Sequence, residues 1–355
     1  MARLIVLDAV GDPFVTGLRR AWDAGDAVLP LDPRLPGPAR ASVLAAARPD
    51  DPVEAGDALV VATSGTDGEP KLAVLTHDAV LASALATSDR LGVDPEADRW
   101  LACLPLAHVG GLSVVTRALV TGTPCTVHEH FDVDGVQAAA RAGCTVTSLV
   151  PTTLARIDAS LFRTVLVGGQ APPDDRPPNV VATYGMTETG SGVVYDGVPL
   201  AGVELRLDAD GQIHIRAPML LRAYRDGFDP RDPEGWYPTG DLGILDGDRL
   251  EVEGWASDLI ISGGENVWPI AVERVLLTHP AVADVAVIGR LDPEWGQRVV
   301  AVIVPQHAGS PPSLDQLRGH VKGHLPAYAA PAAIELVDAI PRTSSGKVRR
   351  RTFTS

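Results

Sequence analysis

Short apolar runs alternate with segments of helical spacing between residue 58 and about residue 195, and this alternation constrains the fold most strongly. The runs at residues 58–62, 101–104 and 165–167 predict buried strands. Apolar positions three and four apart predict helices at residues 77–91 and 133–142. Residues 1–57 are less regular: they predict one strand, one helix at 13–24, and then Pro-rich turns. The alternation indicates a layered α/β body over residues 1–196.

The pattern changes after residue 196. Short strands separated by Asp210-Gly211 and Asp246-Gly247 predict a small antiparallel β module over residues 197–256. Residues 257–355 combine two predicted helices with three predicted strands, which indicates a smaller α+β domain. The predicted fold class is therefore α/β, with this β module and a separate C-terminal domain.

A glycine-containing polar segment follows the first buried strand, at residues 63–71. Glycine lets backbone N–H groups turn inward, hydroxyl groups donate hydrogen bonds, and a terminal lysine adds a compact charge. These properties suit a loop that wraps a phosphate chain, although the segment lacks the glycine–lysine–hydroxyl order of a Walker A loop. The candidate phosphate-binding residues are Thr63, Ser64, Gly65, Thr66, Gly68 and Lys71.

The charge distribution limits the partners that this chain can bind. The net charge of -15 argues against a general nucleic-acid binder. From Asp258 onward ten basic residues face nine acidic ones, so the first 257 residues carry a net charge of -16. An acidic body must bind an anion through local donors. Only Lys71, Lys322 and Lys347 are lysines, so each is a candidate for chemistry that arginine cannot perform.

The remaining composition is that of a cytoplasmic protein. The N-terminus is too short and interrupted for a signal peptide, and no apolar run approaches the roughly 20 residues of a membrane span. Cys103, Cys125 and Cys144 are too few and too widely spaced to imply a disulfide framework or a zinc ribbon. We expect small-molecule partners, no nucleic acid and no membrane span, and a homo-oligomer is possible.

Six motifs in order resemble the core motifs of the adenylate-forming family, which includes acyl-CoA synthetases, adenylation domains and luciferases. They occupy residues 63–71, 105–112, 182–189, 236–241, 258–269 and 341–347. The resemblance implies an ATP-dependent ligase that first forms an acyl-adenylate and then an acyl-CoA thioester. ATP, Mg²⁺ and coenzyme A are the implied cofactors and co-substrates.

The resemblance also implies roles for single residues. Thr187 donates to the α-phosphate, Glu188 holds Mg²⁺, and Lys347 bridges the carboxylate and the α-phosphate. The implied nucleotide-binding residues are the adenine-side group Tyr184, Gly185, Gly168 and Gly169, and Asp241 on the ribose.

Family members rotate the small C-terminal domain between the two half-reactions, which implies a mobile domain with its hinge at Ser257. Gly263 and Gly264 then approach the thiol of coenzyme A. Three residues depart from the family pattern: Asp67 in the phosphate loop, Trp255 before the hinge and Ser257 itself. Asp67 puts a phosphate contact in question, and Trp255 puts a ribose or hinge contact in question. Ser257 can change the balance between the two domain positions.

The substrate prediction rests on residues 105–113 and on the short front end, which resemble the o-succinylbenzoate–CoA ligases of menaquinone biosynthesis. That acid is a dicarboxylate, so a basic group must hold the carboxylate that does not react. Arg117 matches the basic position of such ligases, and Arg156 is a second candidate. The resemblance places His108, Gly110 and Gly111 at the acyl pocket.

Two alternatives stay open from the sequence. One is a short acyl- or aryl-CoA synthetase, or a carrier-loading adenylating enzyme, that uses another acid. The other is a noncatalytic nucleotide-binding relative, which the three departures favour and the presence of Glu188, Asp241 and Lys347 disfavours.

Overall fold

The helices and strands are taken from a computed structural model that describes residues 2–63, 70–169, 176–255, 258–262, 265–342 and 348–353. The helices are α1 (Gly11–Asp23), α2 (Gly37–Ala47), α3 (His77–Leu91), α4 (Val109–Thr121), α5 (Val133–Arg141), α6 (Pro151–Leu154), α7 (Pro269–Leu277) and α8 (Leu314–Lys322). The strands are β1 (Leu4–Leu7), β2 (Ala27–Pro30), β3 (Asp57–Thr63), β4 (Lys71–Thr76), β5 (Trp100–Ala102), β6 (Cys125–Val127), β7 (Val146–Leu149), β8 (Thr164–Val167), β9 (Val180–Gly185), β10 (Gly192–Tyr195), β11 (Val198–Pro199), β12 (Glu204–Leu207), β13 (Gln212–Arg216), β14 (Ala223–Tyr224), β15 (Tyr237–Asp246), β16 (Arg249–Trp255), β17 (Ile260–Ser262), β18 (Glu265–Val267), β19 (Val282–Asp292), β20 (Gly296–Pro305) and β21 (Ala333–Leu336).

Internal contacts divide the chain into two compact units. The first comprises Met1–Leu205 and Ile215–Pro238, and the second comprises Arg206–His214 and Thr239–Ser355. The domain boundaries predicted after residues 196 and 256 stay predictions. No helix in the described ranges combines the length and the apolar character that crossing a bilayer requires.

Two sheets form the first unit. One has the strand order β1-β2-β3-β4-β14, and the other has the order β11-β10-β9-β8-β7-β5-β6. In the larger sheet β6, β5, β7, β8 and β9 run parallel, and β10 is antiparallel to β9. The carboxyl ends of parallel strands lie at one edge of a sheet, which is where ligands bind in open α/β folds. The predicted α/β body is confirmed.

A pair of strands flanks the predicted phosphate loop, and the first of them is the strand predicted at residues 58–62. β3 and β4 are antiparallel, with Thr63 opposite Lys71, so residues 64–70 connect the two strands. The five residues of β3 between Asp57 and Thr63 are apolar and mostly buried, as expected for a strand covered on both faces.

The prediction of turns between residues 25 and 57 was wrong, because this segment contains β2 and α2. Proline was the misleading signal. Pro38 lies in the first turn of α2, where a missing N–H costs no helical hydrogen bond. β2 is short and fully buried, so it lacks the alternation that marks a half-exposed strand.

The second unit is built around antiparallel strands. β12, β13, β15 and β16 form a four-stranded sheet, which confirms the predicted β pattern after residue 196. β18, β17, β20 and β19 form another sheet, with β21 parallel to β20. The buried faces of α7 and α8 share a core with β19 and β20, through residues that include Val272, Leu276, Leu317, Val321 and Val285.

One ion pair of the first unit joins the start of β3 to the residue before β14. Arg222 donates from Nε and Nη2 to the two Asp57 oxygens, at 2.9 and 3.0 Å. The side chain of Asp57 is 1% exposed. Removing one partner of a buried pair leaves the other charge uncompensated, so this pair should contribute more than a surface pair.

Replacing Asp57 with alanine is expected to lower the free energy of unfolding by about 2 kcal/mol, because Arg222 loses its buried partner. Arg222 keeps its contact with Glu54, which limits the loss. Urea unfolding measures the effect. The matched control is Glu204→Ala, which removes the exposed pair with Arg216 and should lower the free energy of unfolding far less than Asp57→Ala does. Equal losses in the two variants would contradict the prediction.

Candidate active site

The two ends of the predicted phosphate loop lie side by side in the first unit. Thr63 ends β3 and Lys71 begins β4. The Lys71 Nζ atom lies 5.6 Å from the centre of the Tyr224 ring, within the range of a cation–π contact. The predicted residues Ser64, Gly65, Thr66 and Gly68 lie outside the described residues, and so does Asp67.

The predicted adenine-side residues lie on neighbouring strands. Gly168 and Gly169 follow the carboxyl end of β8, and Tyr184 and Gly185 end β9 beside it. A Cβ atom at Gly168 would lie 2.8 Å from Thr183 Oγ1, and Gly169 has a φ of 84°. A side chain at Gly168 would crowd Thr183, and the positive φ at Gly169 favours glycine. The structure brings these four residues together at the edge of the sheet where the parallel strands end.

Thr187 and Glu188 lie one turn further on, in a short 3₁₀-helix at Thr187–Thr189. The turn is fixed by Thr189, whose hydroxyl accepts from the Met186 N–H at 2.9 Å and donates to the Ser191 carbonyl at 2.7 Å. Glu188 is 8% exposed, and its Oε1 accepts a hydrogen bond from the Tyr224 hydroxyl at 2.8 Å. Oε2 has no hydrogen-bond partner among the residues that the structure describes. An unbonded carboxylate oxygen on a side chain that is mostly buried suits a hard divalent cation such as Mg²⁺.

Two tyrosines of this site were not predicted from the sequence. The Tyr224 and Tyr237 hydroxyl groups lie 3.3 Å apart. Burial, reinforced by the Glu188 charge, raises the pKa of both phenols well above the usual range. They therefore stay protonated and act as hydrogen-bond donors at neutral pH. Tyr237 directly follows Trp236 in a motif that was recognised, but Tyr224 is brought to Glu188 only by the pairing of β14 with β4.

The motif around His108 forms the start of α4. His108 is the residue before the helix, and burial lowers the pKa of its imidazole, which favours the neutral form at pH 7. A Cβ atom at Gly111 would lie 2.6 Å from the Pro105 carbonyl oxygen, so glycine is needed for the close approach of the helix to the preceding loop. At Gly110 the nearest atom, Leu104 Cδ1, would lie 3.4 Å away. His108 thus lies just before α4, in the loop that follows the carboxyl end of β5.

Arg117, on the same helix, is the most unusual buried residue of the first unit. Arg117 is 2% exposed, and its Nε and Nη1 atoms have no hydrogen-bond partner within the described residues. The guanidinium lies over Trp100, with Cζ 5.7 Å from the ring centre. Trp100 is fully buried, and its Nε1 atom also lacks a partner in that part of the chain.

An unpaired buried cation is costly, so this arrangement points to an anion that is absent from the chain itself. Arg156, the second predicted candidate, is exposed and lies over the Phe131 ring at 5.2 Å. Because water solvates its charge, Arg156 needs no anionic partner. Of the two arginines, Arg117 fits the predicted carboxylate site.

The second unit holds the remaining predicted residues. Asp241 is 4% exposed in β15, and its N–H donates to Thr239 Oγ1 at 3.0 Å. Lys347, Ser257, Gly263 and Gly264 lie outside the described residues. The residues on either side of the Lys347 segment are well anchored. Arg342 pairs with Val348 in an antiparallel bridge, and Arg350 contacts Asp258 and Glu273 at 2.9 and 2.7 Å.

Two family models match this chain, one in its N-terminal part and one in its C-terminal part. The AMP-binding enzyme model matches residues 32–224, and the model of the AMP-binding enzyme C-terminal domain matches residues 271–347.

Similar proteins and structures agree with these matches. The probable 2-succinylbenzoate–CoA ligase of Mycobacterium tuberculosis is 42% identical over 338 residues, which cover 87% of each chain. The 2-succinylbenzoate–CoA ligase of Bacillus subtilis is 35% identical over 332 residues, covering 82% of this chain and 68% of that protein. The O-succinylbenzoate coenzyme A synthetase (MenE) of Bacillus subtilis in complex with ATP and magnesium ion has a TM-score of 0.86 at 28% identity, covering 98% of this chain and 88% of that one. The same enzyme with its acyl-adenylate intermediate OSB-AMP has a TM-score of 0.77 at 30% identity, over 99% and 78%. The chain therefore belongs to the AMP-binding, adenylate-forming enzyme family.

Proposed function

We propose that this protein is an ATP-dependent acid–CoA ligase whose acid is o-succinylbenzoate, as predicted for menaquinone biosynthesis. The acid would first react with ATP to give an acyl-adenylate and pyrophosphate. The thiol of coenzyme A would then displace AMP and form the thioester. The buried Arg117, with two nitrogen atoms that have no partner within the described residues, is the observation that carries the choice of a dicarboxylic acid.

The position of Arg117 along α4 supports this substrate. It lies nine residues beyond His108, or about 13 Å along the helix axis. Helical side chains lean toward the N-terminus, so the guanidinium reaches back toward the His108 edge. An acid without a second carboxylate would leave the buried guanidinium unpaired.

The residues of the first unit would supply most of the groups needed for the first half-reaction. Lys71 and the phosphate-loop backbone would hold the leaving pyrophosphate, and Thr187 would donate to the α-phosphate. Glu188 fits Mg²⁺ by its burial and by the oxygen that it leaves unbonded, and a bound cation would offset the negative charge that develops on the phosphates. Tyr184, Gly185, Gly168 and Gly169 would enclose the adenine.

The second unit would supply the other groups. Asp241 would accept from the ribose hydroxyls, and Lys347 would neutralise the approach of the carboxylate to phosphorus. Gly263 and Gly264 would contact the thiol arm of coenzyme A after rotation about Ser257. The cytoplasmic location and a homo-oligomeric state also stay predictions.

ATP–pyrophosphate exchange with a panel of acids tests the proposal. Exchange that depends on o-succinylbenzoate, followed by release of AMP and formation of its CoA thioester, would support it. If a monocarboxylic acid supports faster exchange than o-succinylbenzoate does, the proposed substrate is wrong. The protein is then a short acyl- or aryl-CoA synthetase that uses another acid. If ATP binds but no acid supports exchange, the protein is a noncatalytic nucleotide-binding relative.

A further inference from the structure

A row of hydroxyl groups ends at Glu188. The Tyr224 hydroxyl donates its single proton to Glu188 Oε1, because a carboxylate oxygen can only accept. Tyr224 must then accept from Tyr237, whose hydroxyl lies 3.3 Å away. Tyr224, Tyr237 and Glu188 are 8%, 6% and 8% exposed, so water competes little for these bonds. The row fixes one carboxylate oxygen and leaves the other unbonded within the described residues.

The ring of Tyr224 makes a second contact with the site. Lys71 Nζ lies 5.6 Å from the ring centre, and the face of an aromatic ring attracts a cation. One side chain therefore contacts both charged groups: its hydroxyl contacts the carboxylate and its ring contacts the ammonium group.

The backbone around Tyr224 is held from several sides. β14 pairs with β4, with Tyr224 opposite Ala73. Arg222 is paired with the buried Asp57, and the Arg225 guanidinium donates to carbonyl groups at residues 47, 48, 51 and 52. The Phe228 ring is parallel to the Tyr224 ring, at 6.4 Å between centres. These contacts restrict the positions that the Tyr224 hydroxyl can take.

We infer that Tyr224 is a positioning residue for adenylation. Its hydroxyl orients Glu188 so that Oε2 faces the divalent cation, and its ring holds the ammonium group of Lys71 at the phosphate loop. The inference rests on the proposed function, because it assigns Glu188 and Lys71 to the cation and to the phosphates.

Tyr224→Phe keeps the ring and removes the hydroxyl, whereas Tyr224→Leu removes both contacts. Mn²⁺ serves as the probe, since it takes oxygen ligands as Mg²⁺ does, and its binding with ATP is measured by electron paramagnetic resonance. We expect Tyr224→Phe to weaken Mn²⁺ binding about tenfold, the usual size of one lost hydrogen bond to a charged group. The Mg²⁺ concentration for half-maximal exchange should rise in proportion, and the loss of exchange should be larger at low than at saturating Mg²⁺. Tyr224→Leu should additionally raise the KM for ATP.

Tyr195→Phe is the matched control. Tyr195 is fully buried, and its hydroxyl bonds Thr87 at 3.1 Å and not Glu188. This variant should bind Mn²⁺ as the wild type does. Unchanged Mn²⁺ binding in Tyr224→Phe, or a loss of exchange that is the same at all Mg²⁺ concentrations and follows a lower Tm, would overturn the inference alone. Wild-type protein that binds no Mn²⁺ with ATP would overturn the proposed function as well.

Discussion

Replacing Lys347 with alanine is expected to reduce ATP–pyrophosphate exchange by about 100-fold or more, because the ammonium group offsets charge only as the carboxylate approaches phosphorus. Thioester formation from a preformed acyl-adenylate should be largely retained, since that step no longer joins two anions. The two half-reactions are measured separately, the second with synthetic acyl-adenylate and coenzyme A. The anchors on either side of residue 347, at Arg342 and Arg350, are untouched by this change.

Lys322→Ala provides the matched control for the loss of a lysine. Lys322 is exposed near the end of α8 in the same unit, so both half-reactions should proceed at the wild-type rate. Equal losses of both half-reactions in Lys347→Ala would count against a separate role for the lysine in adenylation and against domain rotation.

Replacing Arg117 with leucine should raise the KM for o-succinylbenzoate by about 30- to 100-fold, the cost of about 2–3 kcal/mol of lost charged hydrogen bonds. The variant should also unfold at a higher temperature than the wild type without substrate. A buried guanidinium without partners is destabilising, and leucine removes that penalty. Steady-state kinetics and thermal unfolding measure the two effects. A loss of binding together with a gain of stability cannot come from misfolding.

Two further comparisons sharpen the assignment of Arg117. The ratio of kcat/KM for o-succinylbenzoate to that for the monocarboxylic analogue that keeps only the reacting carboxylate should collapse in Arg117→Leu and partly recover in Arg117→Lys. Arg156→Leu removes the other candidate, which is exposed over Phe131, and should leave the ratio unchanged. If Arg156→Leu lowers the ratio and Arg117→Leu does not, the carboxylate is held at Arg156.

The apolar periodicity was sufficient to predict α3. Its start and end are marked by Thr76, which caps the Ala79 N–H, and by Gly92 in the left-handed conformation. Short apolar runs likewise located β3, β5 and β8. Apolar periodicity failed at α2, where two prolines and weak amphipathicity concealed a helix whose buried residues pack on the first sheet. Helices of that kind depend on tertiary packing more than on local preference.

The order of the motifs, the scarcity of lysine and the acidic body are properties of the chain, so the sequence alone determined the family. It also singled out the candidate phosphate loop, Lys347 and Arg117. Two facts depended on the tertiary structure: that Arg117 is buried without a partner among the described residues, and that Tyr224 bonds Glu188 across 36 positions of the chain. Burial and long-range hydrogen bonding arise when distant strands pair and helices cover them. Residue identities and local spacing do not predict which side chains such packing brings together.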